Sequence, residues 1–289
     1  HTLMGGTINI IGPAIGALLY ILFDARMDII LWIDCITLIV ALVPLLLISI
    51  PKIEKQPSAA GASGVTIFIQ EFRDGFSILR SREGLISLLI LITIINLMQI
   101  PIAVLGPLFV ADFHNGSVQD LAFVVAASQL GLLVSGIFLL IKNGWKRKIP
   151  VIIVALYIQI FGYLIQAITP IGEFWFMAVG AFVFGSMLSI INSLYKTIIQ
   201  VVVPPELQGR VNAITAALTG AILPIGVLAT APLAEIIGIV PLFLVTITIS
   251  FITITLIWTL TDIRILDRFK DYTVDKEILP VENIAGVSN

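Results

Sequence analysis

Long apolar segments constrain this chain more than any other feature of its sequence. About eight of them are long enough to cross a bilayer, since one span takes ~20 apolar residues. They lie near residues 3–23, 29–50, 85–111, 121–141, 149–169, 174–203, 211–236 and 240–261. Lipid offers the backbone no hydrogen bonds, and these segments are far too long for barrel strands. Only 12% of the residues are charged, against about a quarter in soluble domains. We therefore predict an all-α membrane protein.

A polar stretch at residues 51–84 separates two of these spans from the other six. Near its end four apolar residues recur at helical spacing, namely Phe68, Phe72, Phe76 and Leu79. That pattern is typical of a short helix in the membrane interface, which could be a structural joint or a regulatory site. The sequence thus predicts four parts: 1–50 with two transmembrane helices, a cytoplasmic linker at 51–84, 85–262 with six transmembrane helices, and a cytoplasmic tail at 263–289.

The basic residues predict the orientation of these spans. Most of the 16 Lys and Arg lie in the linker, in the loop at 142–148 and in the tail, whereas the opposite loops carry only Arg26. By the positive-inside rule the linker, the basic loops and both termini of the chain face the cytoplasm. We expect a multi-pass protein of the cell membrane, surrounded by membrane lipids and without a nucleic-acid partner.

The sequence lacks the common motifs of catalysis. It contains no H-E-x-x-H, G-x-S-x-G or G-x-x-x-x-G-K-[ST] pattern. A single cysteine and two histidines leave little for a metal site. We predict no enzymatic activity, no metal and no cofactor. We also expect His114, which lies in a short external loop, to be solvated.

Polar residues inside the spans are the best candidates for function, because in lipid they are costly and usually face a bundle interior or a water-filled cavity. One set occupies a single helix face, at three- and four-residue intervals: Ser186, Ser189, Ser193, Lys196 and Gln200, with Asn192 beside them. A lysine facing lipid at mid-membrane would cost ~2.5–3.5 kcal/mol. The face is either a cavity wall that contacts substrate or a packing surface with a snorkelling lysine.

Two other spans carry aligned polar residues. Asn96 and Gln99 follow Thr93 at three-residue spacing, and Pro101 and Pro107 after them predict a kink near the outer helix end. In the span near 149–169, Gln159 shares a face with Gln166. We predict that one cavity is lined by Asn96, Gln99, Gln159, Ser189, Asn192, Ser193 and Lys196.

Asp34 lies about one turn inside the second span, close to the outer face. A carboxylate within a span is a candidate for proton coupling. It is also close enough to the helix N-terminus to be stabilised by the helix dipole and the first backbone amides. Both a coupling and a structural role are therefore open for Asp34.

Two motifs resemble parts of a known family. The run Gly12-Pro13-Ala14-Ile15-Gly16-Ala17 resembles the G-P-x-x-G-G core of the antiporter motif in the fifth helix of major facilitator superfamily drug exporters, with Ala17 in place of the last glycine. The run from Pro204 to Val211 resembles the P-x-x-x-x-G-R-V turn between the tenth and eleventh helices of macrolide-efflux-like members. Its Glu206 and Arg210 could equally be an ordinary i,i+4 pair at a helix start.

Three further stretches agree with that family in order and spacing. They lie at 31–34, 71–80 and 142–148, although the last lacks the family's G-x-x-x-D-R pattern. The resemblance runs from the fifth helix to the tail. It predicts a major facilitator superfamily helical bundle with about eight of twelve transmembrane helices present and the first four missing, so that residues 1–50 are a remnant of the N-terminal half.

The resemblance also implies a function. A family member of this kind would be a secondary active transporter that exports small amphipathic drugs such as macrolides by alternating access. Its coupling ion would be the proton, and the full-length protein would be a monomer. Gly12, Pro13 and Gly16 would form the antiport-linked bend, and Glu206, Gly209 and Arg210 the cytoplasmic turn. Two alternatives remain: an exporter of lipids or siderophores on the same fold, and a non-transporting membrane scaffold or sensor.

Overall fold

The computed structural model describes residues 84–268, except 143, 144 and 146, together with seven residues between 32 and 40. The chain divides into two compact units, His1–Ile67 and Phe68–Asn289, with the boundary inside the predicted linker. In the first unit the seven described residues are helical. The linker before Gly84, the antiporter-like motif at Gly12, Pro13 and Gly16, and Asp34 lie outside the described residues, so the predictions on them stay predictions.

Six long helices form the described part of the second unit. They are α1 (Leu85–Leu108), α2 (Val118–Ile141), α3 (Lys148–Ala167), α4 (Phe174–Val202), α5 (Pro205–Ile237) and α6 (Ile239–Leu260). A π-helical turn, Phe109–Phe113, continues α1, and a 3₁₀ helix, Ile263–Arg268, follows α6. All six helices are long and apolar enough to cross a membrane, within a few residues of the predicted spans. The predicted all-α membrane fold is confirmed.

Many apolar side chains lie on the surface of the described helices as well as in their core. Leu88, Leu156 and Phe243 are buried, yet Trp175 and Leu228 are more than two-thirds exposed. A helix that is apolar on every side belongs in lipid or in a large core. The exposed apolar side chains therefore mark a surface made for a bilayer.

Glycines set how closely the helices approach. α4 packs against α2 on one side and α3 on the other, while α1 packs against α5 and α6. A Cβ added to Gly131 of α2 would collide with the carbonyl oxygen of Phe182, and one added to Gly185 of α4 would collide with that of Ser128. These backbone contacts hold α2 and α4 at a separation that no larger residue at either glycine allows.

The first residues of the predicted tail belong to the folded bundle. Asp267 Oδ1 accepts hydrogen bonds from the backbone N–H groups of Lys148 and Ile149, at 2.7 and 3.0 Å. Asp267 therefore caps α3 from more than a hundred positions away, satisfying amides that a helix start leaves without a partner. Gly84, at φ 82°, lets the start of α1 approach this 3₁₀ segment, since a Cβ there would lie 3.2 Å from Ile263 Cα.

Candidate functional site

A cavity of about 270 Å³ lies between α1 and α5. Its polar lining consists of Thr93, Asn96 and Gln99 from α1 and Thr219 from α5. The rest of the lining is apolar, namely Leu97, Ile100, Ala103, Ile222 and Leu223. A mostly apolar wall with a few oriented polar groups is the usual composition of a small-molecule site.

The polar wall of this cavity is a regular helical face. Thr93, Asn96 and Gln99 are three residues apart, which places them on one side of α1. The helix continues through Pro101 and Pro107 to Leu108 and is followed by a π-helical turn, and the predicted kink stays a prediction. The cavity is therefore built on continuous helix.

Gln159 lies behind the cavity wall. It is 1% exposed on α3 and is not among the residues that line the cavity. Its Oε1 accepts a hydrogen bond of 2.8 Å from Gln99 Nε2, so the structure brings two of the predicted cavity residues into direct contact. The Nε2 of Gln159 is buried, and no described residue forms a hydrogen bond with it.

The polar stripe of α4 forms a separate surface. Asn192 and Lys196 are exposed, while Ser189 and Ser193 are half-buried, and none of the four lines the α1–α5 cavity. Ser186 is buried, and its Oγ donates to the carbonyl oxygen of Phe182 at 2.8 Å, as expected of a serine used in packing. The stripe thus combines packing at one end with an exposed cationic face at the other.

The turn between α4 and α5 is closed by a residue that the sequence motif did not single out. Gln208 Nε2 donates to the carbonyl oxygens of Gln200 and Val203, at 3.2 and 3.0 Å. Gly209 is exposed, and a Cβ there would meet nothing within 4 Å. Glu206 and Arg210 belong to α5, but their side chains lie outside the described part of the structure.

His114 is buried, and the prediction of a solvated side chain is wrong. The residue is 2% exposed, and its ring centroid lies 4.6 Å from that of Phe109, 5.2 Å from Phe113 and 6.0 Å from Phe174. Within the described part of the chain neither ring nitrogen has a hydrogen-bond partner of acceptable geometry. Burial lowers the pKa of His114, and the carbonyl of Pro170 opposes this only in part. The imidazole therefore packs as a neutral aromatic ring.

Thr219 is the cavity residue that the sequence analysis missed. Its Oγ1 donates to the carbonyl oxygen of Thr215 at 2.8 Å, so the threonine satisfies its own hydroxyl within α5. The signal available was the spacing of Thr215 and Thr219, four residues apart inside an apolar span. Helical spacing alone could not show that α5 faces the polar side of α1.

Comparisons with known proteins all point to membrane transporters. Residues 2–226 match the family described as Major Facilitator Superfamily. Macrolide efflux protein A of Streptococcus pyogenes is 25% identical over 258 residues, which is 89% of this chain and 62% of the relative. Macrolide efflux protein A of Enterococcus faecalis is 25% identical over 217 residues, 75% of this chain and 65% of the relative. Another similar protein, the uncharacterized MFS-type transporter YvqJ of Bacillus subtilis, is 27% identical over 181 residues, 63% of this chain and 42% of the relative. The chain spans less than two thirds of the length of these relatives.

Proposed function

Because this chain belongs to the major facilitator superfamily, we propose that it works in secondary active transport and exports an amphipathic small molecule by alternating access. The observation that carries the proposal is the α1–α5 cavity, a mostly apolar space with neutral polar groups on two apposed helices. Such a composition suits a ligand with a large apolar body and a few hydrogen-bonding groups.

The depth of the cavity supports a transport role. Thr93 and Gln99 lie about 12 and 21 Å along the span that starts at Leu85, at 1.5 Å of rise per residue. Thr219 lies about 18 Å along Leu207–Ile237, the part of α5 that is apolar enough to span a membrane. These positions fall near the middle of a hydrocarbon core ~30 Å thick. Substrate sites of secondary transporters lie at this depth, at which alternating access can open them to either side.

The charges at the two ends of the helices support the proposed orientation. Lys142 and Arg147 lie between α2 and α3, Lys148 begins α3, and Arg264 lies beyond α6. All four are therefore at one end of helices that alternate in direction. At the opposite end the described connecting segments, 109–117, 168–173 and 238, carry no Lys or Arg. By the positive-inside rule the basic end lies on the cytoplasmic side of the cell membrane.

Macrolides are the proposed substrates, and protons the proposed coupling ion. Two relatives are named macrolide efflux proteins. The cavity, at about 270 Å³, is near the lower end of the ~300–1,000 Å³ range of ligand pockets. It therefore fits part of a macrolide rather than the whole molecule. Asp34 remains the proposed carboxylate for proton coupling, and the exposed face with Asn192 and Lys196 a second proposed contact surface.

The test is macrolide accumulation in an efflux-deficient host that expresses the complete gene product. Expression should lower accumulation, and a protonophore should abolish the difference. Asn96→Leu removes a cavity amide and should weaken efflux about two- to tenfold, the effect of one hydrogen bond. Thr248→Val, which removes an exposed hydroxyl of α6 that does not line the cavity, is the control. Accumulation that does not respond to the protein would count against macrolides as substrates.

A further inference from the structure

The amide of Gln99 is held by a second amide from behind the cavity wall. Gln99 on α1 is half-buried and lines the cavity, whereas Gln159 on α3 is buried. The two are sixty positions apart and are joined by the hydrogen bond from Gln99 Nε2 to Gln159 Oε1, at 2.8 Å. The bond therefore ties a cavity group to the core of the bundle.

This hydrogen bond fixes the orientation of the Gln99 amide. A glutamine amide has a donor nitrogen and an acceptor oxygen. Gln159 Oε1 accepts one of the two N–H groups of Gln99 Nε2, which holds the amide in one orientation, and the Gln99 oxygen keeps its acceptor capacity for a ligand in the cavity. The Thr219 hydroxyl across the cavity already donates its proton to Thr215. None of the described lining residues is charged, so a ligand is met here by hydrogen bonds rather than by an ion pair.

We propose that Gln159 is a positioning residue, which keeps the Gln99 oxygen turned to the cavity, and that the pair thereby selects ligands that present a hydroxyl donor on an apolar body. An acceptor held in one orientation favours a hydroxyl over the corresponding ether, because the ether leaves the acceptor without a partner. The identification of such ligands as transported substrates rests on the proposed function. The selection itself is a property of binding.

The second amide atom of Gln159 argues against a purely structural role. Gln159 Nε2 is buried with no partner among the described residues, and an unpaired buried donor destabilises the fold. A methionine of similar length would fill the same space without that cost. Gln159 contributes an acceptor to Gln99 that no apolar residue could supply. The substitution Gln159→Met should therefore leave the fold intact while releasing the Gln99 amide.

The experiment measures equilibrium binding of a macrolide and its mono-O-methyl ethers to the purified complete gene product in lipid nanodiscs. Each ether loses one hydroxyl donor and keeps the oxygen as an acceptor. Wild-type protein should bind the parent about three- to tenfold more tightly than at least one ether, the range that one hydrogen bond supplies. Gln159→Met removes the amide that binds Gln99, and Gln159→Asn shortens the side chain that carries it. Both variants should abolish this preference by weakening binding of the parent.

Gln166→Met is the matched control, because Gln166 is also buried on α3 and bonds only its own helix, through Nε2 to the Gly162 carbonyl at 3.3 Å. It should keep the preference. The inference is overturned if both Gln159 variants weaken parent and ether equally, if they keep the preference, or if wild-type protein binds no ether more weakly than the parent. Selective binding without any change in cellular macrolide accumulation would overturn the proposed function and leave this inference standing. Absence of binding by every ligand would overturn both.

Discussion

Substituting Gly185 by alanine tests the contact that fixes α4 against α2. An alanine in a helix is normally ~0.5–1 kcal/mol more favourable than glycine. At Gly185 the added Cβ would collide with the carbonyl oxygen of Ser128, a backbone atom that no change of rotamer can move. The helices would have to separate by roughly 1 Å, which forfeits a quarter to a half of the dispersion energy of the atoms in contact. Overpacking of this kind costs ~1–3 kcal/mol, so the net effect should be destabilising.

Gly220→Ala supplies the matched control for this experiment. Gly220 is also in the middle of a long helix, but a Cβ there would meet no atom of the described residues within 4 Å. We expect Gly185→Ala to lower the Tm of the purified protein in detergent and Gly220→Ala to leave it unchanged or raise it slightly. Equal shifts for the two variants would show that the α2–α4 contact is loose, and would refute the role given to Gly185.

Two other features lead to direct predictions. Asp267→Ala should lower the Tm by an amount that corresponds to ~0.5–2 kcal/mol, because it removes the cap of α3. Asp267→Asn should retain most of that stability, since asparagine also caps helices. Equal losses of Tm in the two variants would contradict capping. For His114, whose pKa is lowered by burial, the folded state binds fewer protons than the unfolded state below an ordinary pKa of ~6.5. Stability should therefore be full above pH ~6.5 and fall as the pH drops towards the folded pKa. In thermal melts from pH 7.5 to 5.5, wild-type protein should lose stability relative to His114→Phe, and a constant difference would contradict the buried neutral imidazole.

The helices and the polar α1 side of the cavity were predictable because both follow from the spacing of residues within one segment of the sequence. Apolar length fixes a transmembrane helix, and three-residue spacing puts Asn96 and Gln99 on one face, whatever the helix packs against. The environment of His114 was not predictable in this way. A loop position suggested water, but Asn115 adopts φ 52° and the Gly116 N–H donates to the Val110 carbonyl at 2.8 Å. These backbone turns fold the loop back onto the end of α1, and only the folded chain brings Phe174 to the imidazole.

Gln159 shows what the spacing of residues along a helix can and cannot predict. Its alignment with Gln166 on α3 correctly predicts a shared face, and both residues are buried. The two differ in what that face meets: Gln166 bonds its own helix, whereas Gln159 meets Gln99 of α1. Helical periodicity says nothing about the neighbouring helix, so the sequence placed Gln159 in the cavity itself. A buried amide of this kind can act on a ligand only through the residue it holds. The orientation of Gln99 is therefore a property of two helices, and variants at Gln159 should change selectivity without touching the cavity wall.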